Sequence, residues 1–204
     1  MPNTRLWGVF PTFRGAFQEA ETLPKHEGVE IAMIGRSNVG KSSLLNALFN
    51  TKKLARVSQT PGCTKALMLF EVHPQFYVMD LPGYGFNKQP KHVQKTWVKA
   101  INGYLAYRRE LVHVYLLLDS RRGITENDQQ MINYLNHYAI PHSVVLTKTD
   151  KISAKELSMT EKKLTPMLQK KSTCPHYYLT SSENKEGIAN LQSAIEGFLA
   201  SSAQ

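Results

Sequence analysis

The sequence predicts an α/β protein: a mostly parallel six-stranded sheet with one antiparallel strand and helices on both faces. Three observations carry that expectation. Residues 29–43 read as an apolar strand, a Gly-x-x-x-x-Gly-Lys-Ser loop and the start of a helix. Downstream, apolar runs of strand length alternate with stretches of helical periodicity, the pattern of βαβ units. Several of those runs end in a short polar motif, and in an open parallel sheet such ends line one edge.

The loop comes first. Gly35 ends the strand Val29–Ile34, and Gly40-Lys41-Ser42 opens the helical stretch that follows, to about Asn50. Two glycines allow the tight turn that brings backbone N–H groups of Arg36, Ser37, Asn38 and Val39 toward phosphate oxygens. The helix N-terminus adds partial positive charge there. Lys41 is expected at the β- and γ-phosphates and the Ser42 hydroxyl at Mg²⁺.

Residues 1–27 read as an N-terminal extension packed on the domain formed by residues 28–204. Phe10, Phe13 and Phe17 recur at helical spacing and predict a short helix there. Residues 51–65 are polar, basic and interrupted by Pro61-Gly62, hence a long loop. Ala66–Val72 and Phe76–Asp80, joined by His73-Pro74-Gln75, predict an antiparallel hairpin. Its second strand ends in Asp80-Leu81-Pro82-Gly83-Tyr84-Gly85. An acid at a strand end followed by x-x-Gly suits a γ-phosphate sensor, with Asp80 holding Mg²⁺ through water and the Gly83 N–H on the phosphate.

Residues 90–107 predict an amphipathic helix with Val93, Trp97, Ile101 and Leu105 on one face and Lys91, Lys95 and Lys99 on another. The lysine ridge reads first as a solvated surface, with contact to a phosphate backbone as the functional alternative. Leu111–Leu118 is a strand ending at Asp119, and a helix follows over about 125–138. Pro141–Leu146 is the next strand, ending in Thr147-Lys148-Thr149-Asp150. A carboxylate at Asp150 can accept from the N1–H and 2-amino groups of guanine, whereas adenine would leave it unpaired. The Lys148 stem can lie along the base. A lysine-bearing helix covers roughly 153–170, with Lys162, Lys163, Lys170 and Lys171. Tyr177–Thr180 is the last strand, and a backbone N–H at Ser181 or Ser182 can reach guanine O6. The final helix starts near Gly187, with Ile188, Leu191, Ile195, Phe198 and Leu199 as its apolar face.

Composition narrows the setting. The chain has 204 residues and a formal net charge of +9, which favours a polyanionic partner such as nucleic acid. No apolar run approaches the ~20 residues that span a bilayer. Residues 1–17, broken by Pro2, Arg5, Pro11 and Arg14, show no signal-peptide region. Two distant cysteines, Cys63 and Cys174, form no disulfide or zinc pattern, and the seven histidines lack metal-ligand spacing. The expectation is a cytoplasmic protein without a membrane partner, monomeric by default.

With these motifs in order, the chain resembles the EngB family of bacterial ribosome-biogenesis GTPases, which have the P-loop GTPase fold. The matching stretches are Gly35–Leu44, Thr60–Thr64, Asp80–Gly85, Thr147–Lys151 and Ser181-Ser182 with Gly187-Ile188. The resemblance runs from about residue 10 to the C-terminus. It implies GTP and GDP as ligands and Mg²⁺ as cofactor. Thr64 would be the switch threonine on Mg²⁺, with Gly62, Cys63, Lys65 and Ala66 beside it and Thr180 completing the base-binding set. It implies a partner in the large ribosomal subunit or its precursor, through rRNA and ribosomal proteins, and through that role a link to cell division. Three positions depart from the pattern. Thr147 stands where most GTPases carry Asn, and Lys65 and Met68 stand where Gln and Asn are expected.

Ras-type enzymes place a Gln after D-x-x-G to hold the attacking water. Here that position is Tyr84, so slow intrinsic hydrolysis is expected, and no catalytic residue is assigned. Asn38 matches the residue that helps hold K⁺ in related cation-dependent GTPases. Other classes stay open. A P-loop kinase or ATPase is opposed by Thr147–Asp150. An RNA-binding module with a structural nucleotide site would bind RNA regardless of nucleotide. A signalling GTPase is opposed by the lack of a lipidation cysteine in Ala200–Gln204.

Overall fold

The computed structural model describes residues 6–51, 54, 66–84, 91–169 and 177–202, with side chains at 91–98, 169 and 199–202 excepted. Gly62, Cys63, Thr64 and Lys65 lie outside the described residues, as do Lys52, Lys53, Arg56, Lys88, Lys170, Lys171, Cys174 and the side chains of Lys91, Val93, Lys95, Trp97 and Leu199.

Among the described residues the strands are β1 (Thr12–Phe17), β2 (Val29–Gly35), β3 (Leu67–His73), β4 (Phe76–Asp80), β5 (Leu111–Asp119), β6 (His142–Thr147) and β7 (Tyr177–Leu179). They form one sheet in the order β1-β3-β4-β2-β5-β6-β7. β3 is antiparallel to β1 and to β4, and every other pairing is parallel. One reversed strand is therefore as expected, but the sheet has seven strands, not six. The seventh is β1, which replaces the short helix expected near Phe10–Phe17. Without it, the outer edge of β3 would leave a row of backbone donors and acceptors unpaired. The spacing of the phenylalanines misleads because the register slips between Phe13 and Gly15. Phe13 then rests on Phe70, ring centroids 5.5 Å apart, while Phe17 packs into the opposite layer.

Side-chain alternation along the central strands builds two apolar layers. Ile31, Met33, Tyr115 and Leu117 face α1 (Lys41–Leu48) and α5 (Ile188–Ser202), which contribute Leu44, Leu48, Leu191 and Ile195. Ala32, Ile34, Leu116 and Leu118 face the other layer. There α2 (Lys91–Tyr107), α3 (Glu126–His137) and α4 (Ala154–Gln169) contribute Ile101, Leu105, Ile132, Leu135 and Leu164. Each fully buried aliphatic side chain contributes roughly 1.5–3 kcal/mol, which fixes strand register against a slip.

Register then decides where the site lies. Met33 pairs with Asp80, Gly35 with Leu117 and Asp119 with Thr147. The carboxyl ends of β2, β4, β5 and β6 therefore meet at one edge. Short 3₁₀ turns at Ser120–Arg122 and Thr149–Lys151 follow two of them and lie side by side.

Candidate functional site

The loop from Gly35 to Ser42 leaves β2 and enters α1 at that edge. Leu44 N–H donates to the Gly40 carbonyl at 2.8 Å, closing the first turn of the helix. Gly40 sits at φ +108°, a region that disfavours a side chain. Val39 is buried in the core, whereas Ser37 and Asn38 are exposed. Lys41 extends to Asp80 and pairs with its Oδ1; the two side chains are 13% and 1% exposed. Burial pushes the Asp80 carboxyl above the ordinary carboxylate range, and the Lys41 ammonium opposes that shift.

The chain after Asp80 continues along the loop. Leu81 N–H donates to Met33 O at 3.0 Å and Tyr84 N–H to Gly35 O at 3.1 Å. Between these clamps, a Cβ on Gly83 would lie 2.9 Å from the Ser37 nitrogen and 3.1 Å from the Gly35 oxygen. Only glycine lets the two loops approach this closely. Leu81, Pro82 and Ala66, expected beside the nucleotide, are buried.

The third motif locks onto the first. Thr147 Oγ1 is 2.7 Å from Val39 O and 3.2 Å from Leu118 O. Lys148, itself at φ +60°, donates from Nζ to Asn38 O at 2.6 Å and to Asp119 Oδ2 at 2.9 Å. Its stem passes Gly40, where a Cβ would lie 3.4 Å from Lys148 Cε. Asp150 Oδ1 accepts from the Ser181 hydroxyl at 2.6 Å, and Lys151 Nζ lies 2.9 Å from Oδ2. The Ser181 hydroxyl foremost, then Lys151, hold the Asp150 carboxyl below its ordinary range. Thr180 N–H donates to Leu146 O at 2.8 Å and Thr149 N–H to Thr180 O at 3.3 Å, which ties the last motif to the third. Ser182 follows, half-buried. All four sets of residues thus share one edge.

Three side chains to which the sequence reading gave no contact also belong here. Asp119 receives Lys148 and two nitrogens of Arg121, at 2.9 and 2.7 Å. Burial acts to raise its pKa, but the hydrogen bonds from Arg121 and Lys148 prevail and bring it to about 2. Its position at a strand end on the motif edge was the available signal. Tyr84 is buried and donates to Asp128 Oδ1 at 2.7 Å, and Asp128 caps α3 with Thr125. Arg36 turns toward the same cap, its Nη1 3.5 Å from Thr125 Oγ1. No sequence pattern announced that contact, because it joins residues 89 positions apart.

Ser42, in the first turn of α1, and Asp80, at the end of β4, offer a hydroxyl and a carboxylate, the hard oxygen donors that suit Mg²⁺. Among the described residues no group of three or more His, Cys, Asp or Glu can hold a metal alone. A cation here would draw its remaining ligands from phosphate and water, as Mg²⁺ does. Among the described residues no helix is long and apolar enough to cross a membrane.

Comparison with known proteins matches residues 30–148 to the family described as 50S ribosome-binding GTPase. A probable GTP-binding protein EngB of Prosthecochloris aestuarii is 42% identical over 177 residues, covering 87% of this chain and 92% of that relative. Its counterpart in Rhodopseudomonas palustris is 41% identical over 186 residues, covering 90% of this chain and 86% of that protein. The chain belongs to the EngB family of GTP-binding proteins. It is therefore a P-loop GTPase, a GTP-hydrolysing enzyme by family. Among solved structures, a probable GTP-binding protein EngB superposes with a TM-score of 0.68 at 24% identity, covering 83% of this chain and 97% of that one. Era, in complex with MgGDPNP and nucleotides 1506–1542 of 16S ribosomal RNA, superposes with a TM-score of 0.61 at 21% identity. It covers 84% of this chain and 56% of Era. At these identities the likeness is one of fold.

Proposed function

We propose that the protein is a GTP-controlled switch in assembly of the large ribosomal subunit, acting in the cytoplasm as a monomer and supporting cell division through that role. One observation carries the reading: the ends of β2, β4 and β6 and the loop after β7 converge on one edge, in the motif order of a GTPase. Membership of a family described as 50S ribosome-binding supports the partner, as does the net charge of +9. Era, of the same fold, is described as bound to 16S rRNA. Residues 28–204 make up the GTPase domain, and residues 1–27 are an extension of it.

In this reading, backbone N–H groups from Gly35 to Ser42 cradle the phosphates, and nucleotide draws Lys41 from Asp80 to the β- and γ-phosphates. Ser42, Thr64 and, through water, Asp80 hold Mg²⁺, which supplies neutralising charge when bound. The Gly83 N–H meets the γ-phosphate, and Gly62–Ala66 complete the nucleotide-binding set. Asp150 reads the guanine edge, Lys148 flanks the base, and Thr149 and Thr180–Ser182 frame it. Arrival of the γ-phosphate orders the loop at 51–65 and the one leading from Gly83 to residue 90, altering the basic surface offered to rRNA. Hydrolysis is slow because Tyr84 cannot hold water as a glutamine does. Asn38 would help hold K⁺, which would supply positive charge at the phosphates and speed hydrolysis, so equal rates in KCl and NaCl would sink that part.

Co-sedimentation with isolated large and small subunits at two salt concentrations tests the switch. Pelleting with the large subunit, stronger with a non-hydrolysable GTP analogue than with GDP, is the expected result. Equal pelleting in both states indicates a constitutive RNA binder, and none with either subunit removes the ribosomal partner.

A further inference from the structure

We infer that Tyr84 is a positioning residue. Through its hydroxyl on Asp128 it holds Gly83 ready for a γ-phosphate, and so sets the preference for GTP over GDP. The inference rests on the GTP-switch reading above.

Tyr84 immediately follows the D-x-x-G motif. In this chain it is anchored at both ends. Its N–H donates to Gly35 O at 3.1 Å, extending the strand pairing beyond Asp80. Its hydroxyl donates to Asp128 Oδ1 at 2.7 Å. The ring between them is 5% exposed and packs in the apolar layer with Leu81, Ile101 and Ile132.

Asp128 is a firm anchor. Its other oxygen, Oδ2, accepts from Thr125 N–H at 2.9 Å and from Thr125 Oγ1 at 2.7 Å. It is 3% exposed and sits in the first turn of α3. The carboxylate cannot follow a displaced tyrosine without breaking the cap of that helix. Tyr84 is thereby fixed to a rigid element rather than to another loop.

Gly83 lies between the two backbone clamps, held against Ser37 and Gly35 more tightly than any side chain would permit. A γ-phosphate at the loop would meet its N–H already in place. Such preorganisation lowers the ordering cost of binding a nucleotide that has the γ-phosphate and does nothing for one that lacks it. The same anchoring turns the side chain after D-x-x-G into the core. A glutamine at this position would have to leave that packing to reach water.

The test compares affinities for GDP and for a non-hydrolysable GTP analogue, by titration, in the full chain and in Y84F, D128A and the double variant. Melting temperatures are followed in parallel. Y84F loses one hydroxyl and keeps the ring in the core. It is expected to weaken the GTP analogue roughly fivefold to tenfold, the net scale of one hydrogen bond, with GDP affinity within about twofold. D128A should lower the ratio of the two affinities similarly, and the double variant should lower it no further. A purely structural role would lower the melting temperature and leave the ratio unchanged. An unchanged ratio in Y84F, or additive loss in the double variant, overturns the inference while leaving the GTPase reading intact. Failure of the unmodified chain to bind either nucleotide overturns both.

Discussion

Thr147 replaces the asparagine usual in the guanine motif, and its hydroxyl performs a bridging task. It reaches both Val39 O and Leu118 O, linking the phosphate loop, β5 and β6 through one buried group. Thr147→Val keeps the shape and removes the hydroxyl, so two buried carbonyls lose a donor. The expected cost is about 1–3 kcal/mol of stability. GDP affinity should fall with it, because the phosphate loop loses its tie to the base loop. Thermal melts with and without GDP check both effects, and equal melts for variant and parent would remove the bridging role. Asp119 acts on the neighbouring residue. It holds the Lys148 ammonium at 2.9 Å, which fixes the stem across Gly40 before any base arrives. The identities of Thr147, Lys148 and Asp150 were legible from their place at a strand end. The hydroxyl bridge was not, since it depends on the distance between β2 and β6 ends.

At the scale of elements, the two ends of α2 are treated differently. Its first residue comes six positions after Gly85 and the D-x-x-G segment, while its last turn is tied to the start of β2. Glu30 is fully buried there and accepts from Tyr104 Oη at 2.5 Å and Arg108 Nη2 at 2.9 Å, with His26 Nε2 at 2.9 Å. Arg108 also donates to Pro24 O at 3.0 Å, so the segment before β2 is held to the same point. Burial alone would raise the Glu30 carboxyl, but the bonds from His26, Arg108 and Tyr104 outweigh it and keep it below the ordinary range. The end of α2 nearest Glu30 is thus pinned to the start of β2. Arg108→Ala leaves a buried carboxylate without its cation, and a loss of about 3–5 kcal/mol is expected in urea denaturation. A loss under about 1 kcal/mol would show that His26 and Tyr104 suffice. This cluster was invisible in the sequence, because Glu30 reads only as a polar interruption in an apolar strand. The helix boundaries were legible, since Thr125 and the apolar spacing of Ile132 and Leu135 are local signals.

For the molecule as a whole, two buried histidines make stability sensitive to acid. His113 bonds Ser143 Oγ at 2.9 Å and stacks on Phe198, and burial foremost, then His142, lowers its pKa to about 4. His142 is fully buried on the opposite face of β6, and burial, only partly offset by its bond to Ile140 O, lowers it as well. Above pH 6.5 both are neutral, folded or unfolded, and stability does not depend on them. Below it the unfolded chain takes up protons that the folded chain refuses. Stability therefore falls as pH drops from 6.5 toward 4, and His113 alone accounts for on the order of 3 kcal/mol across that window. His113→Phe should flatten the slope of melting temperature against pH between 6.5 and 5, whatever it does to the melt at pH 8. An unchanged slope would assign the acid sensitivity elsewhere.

The residue types and their order determined much about this protein. Gly35–Ser42, Asp80–Gly83 and Thr147–Asp150 each specify a local chemistry that needs only a strand end and a following turn, and both are encoded nearby. Strand count, the packing of the N-terminal aromatics and the anchoring of Tyr84 were decided by the tertiary structure. β1 exists because the edge of β3 has backbone groups to satisfy, a demand made by residues 50 or more positions away. The Tyr84–Asp128 and Thr147–Val39 bonds span 44 and 108 positions. Local propensity carries no information across such separations. Only the packing of two apolar layers, which sets the spacing of the strand ends, brings those groups within bonding distance.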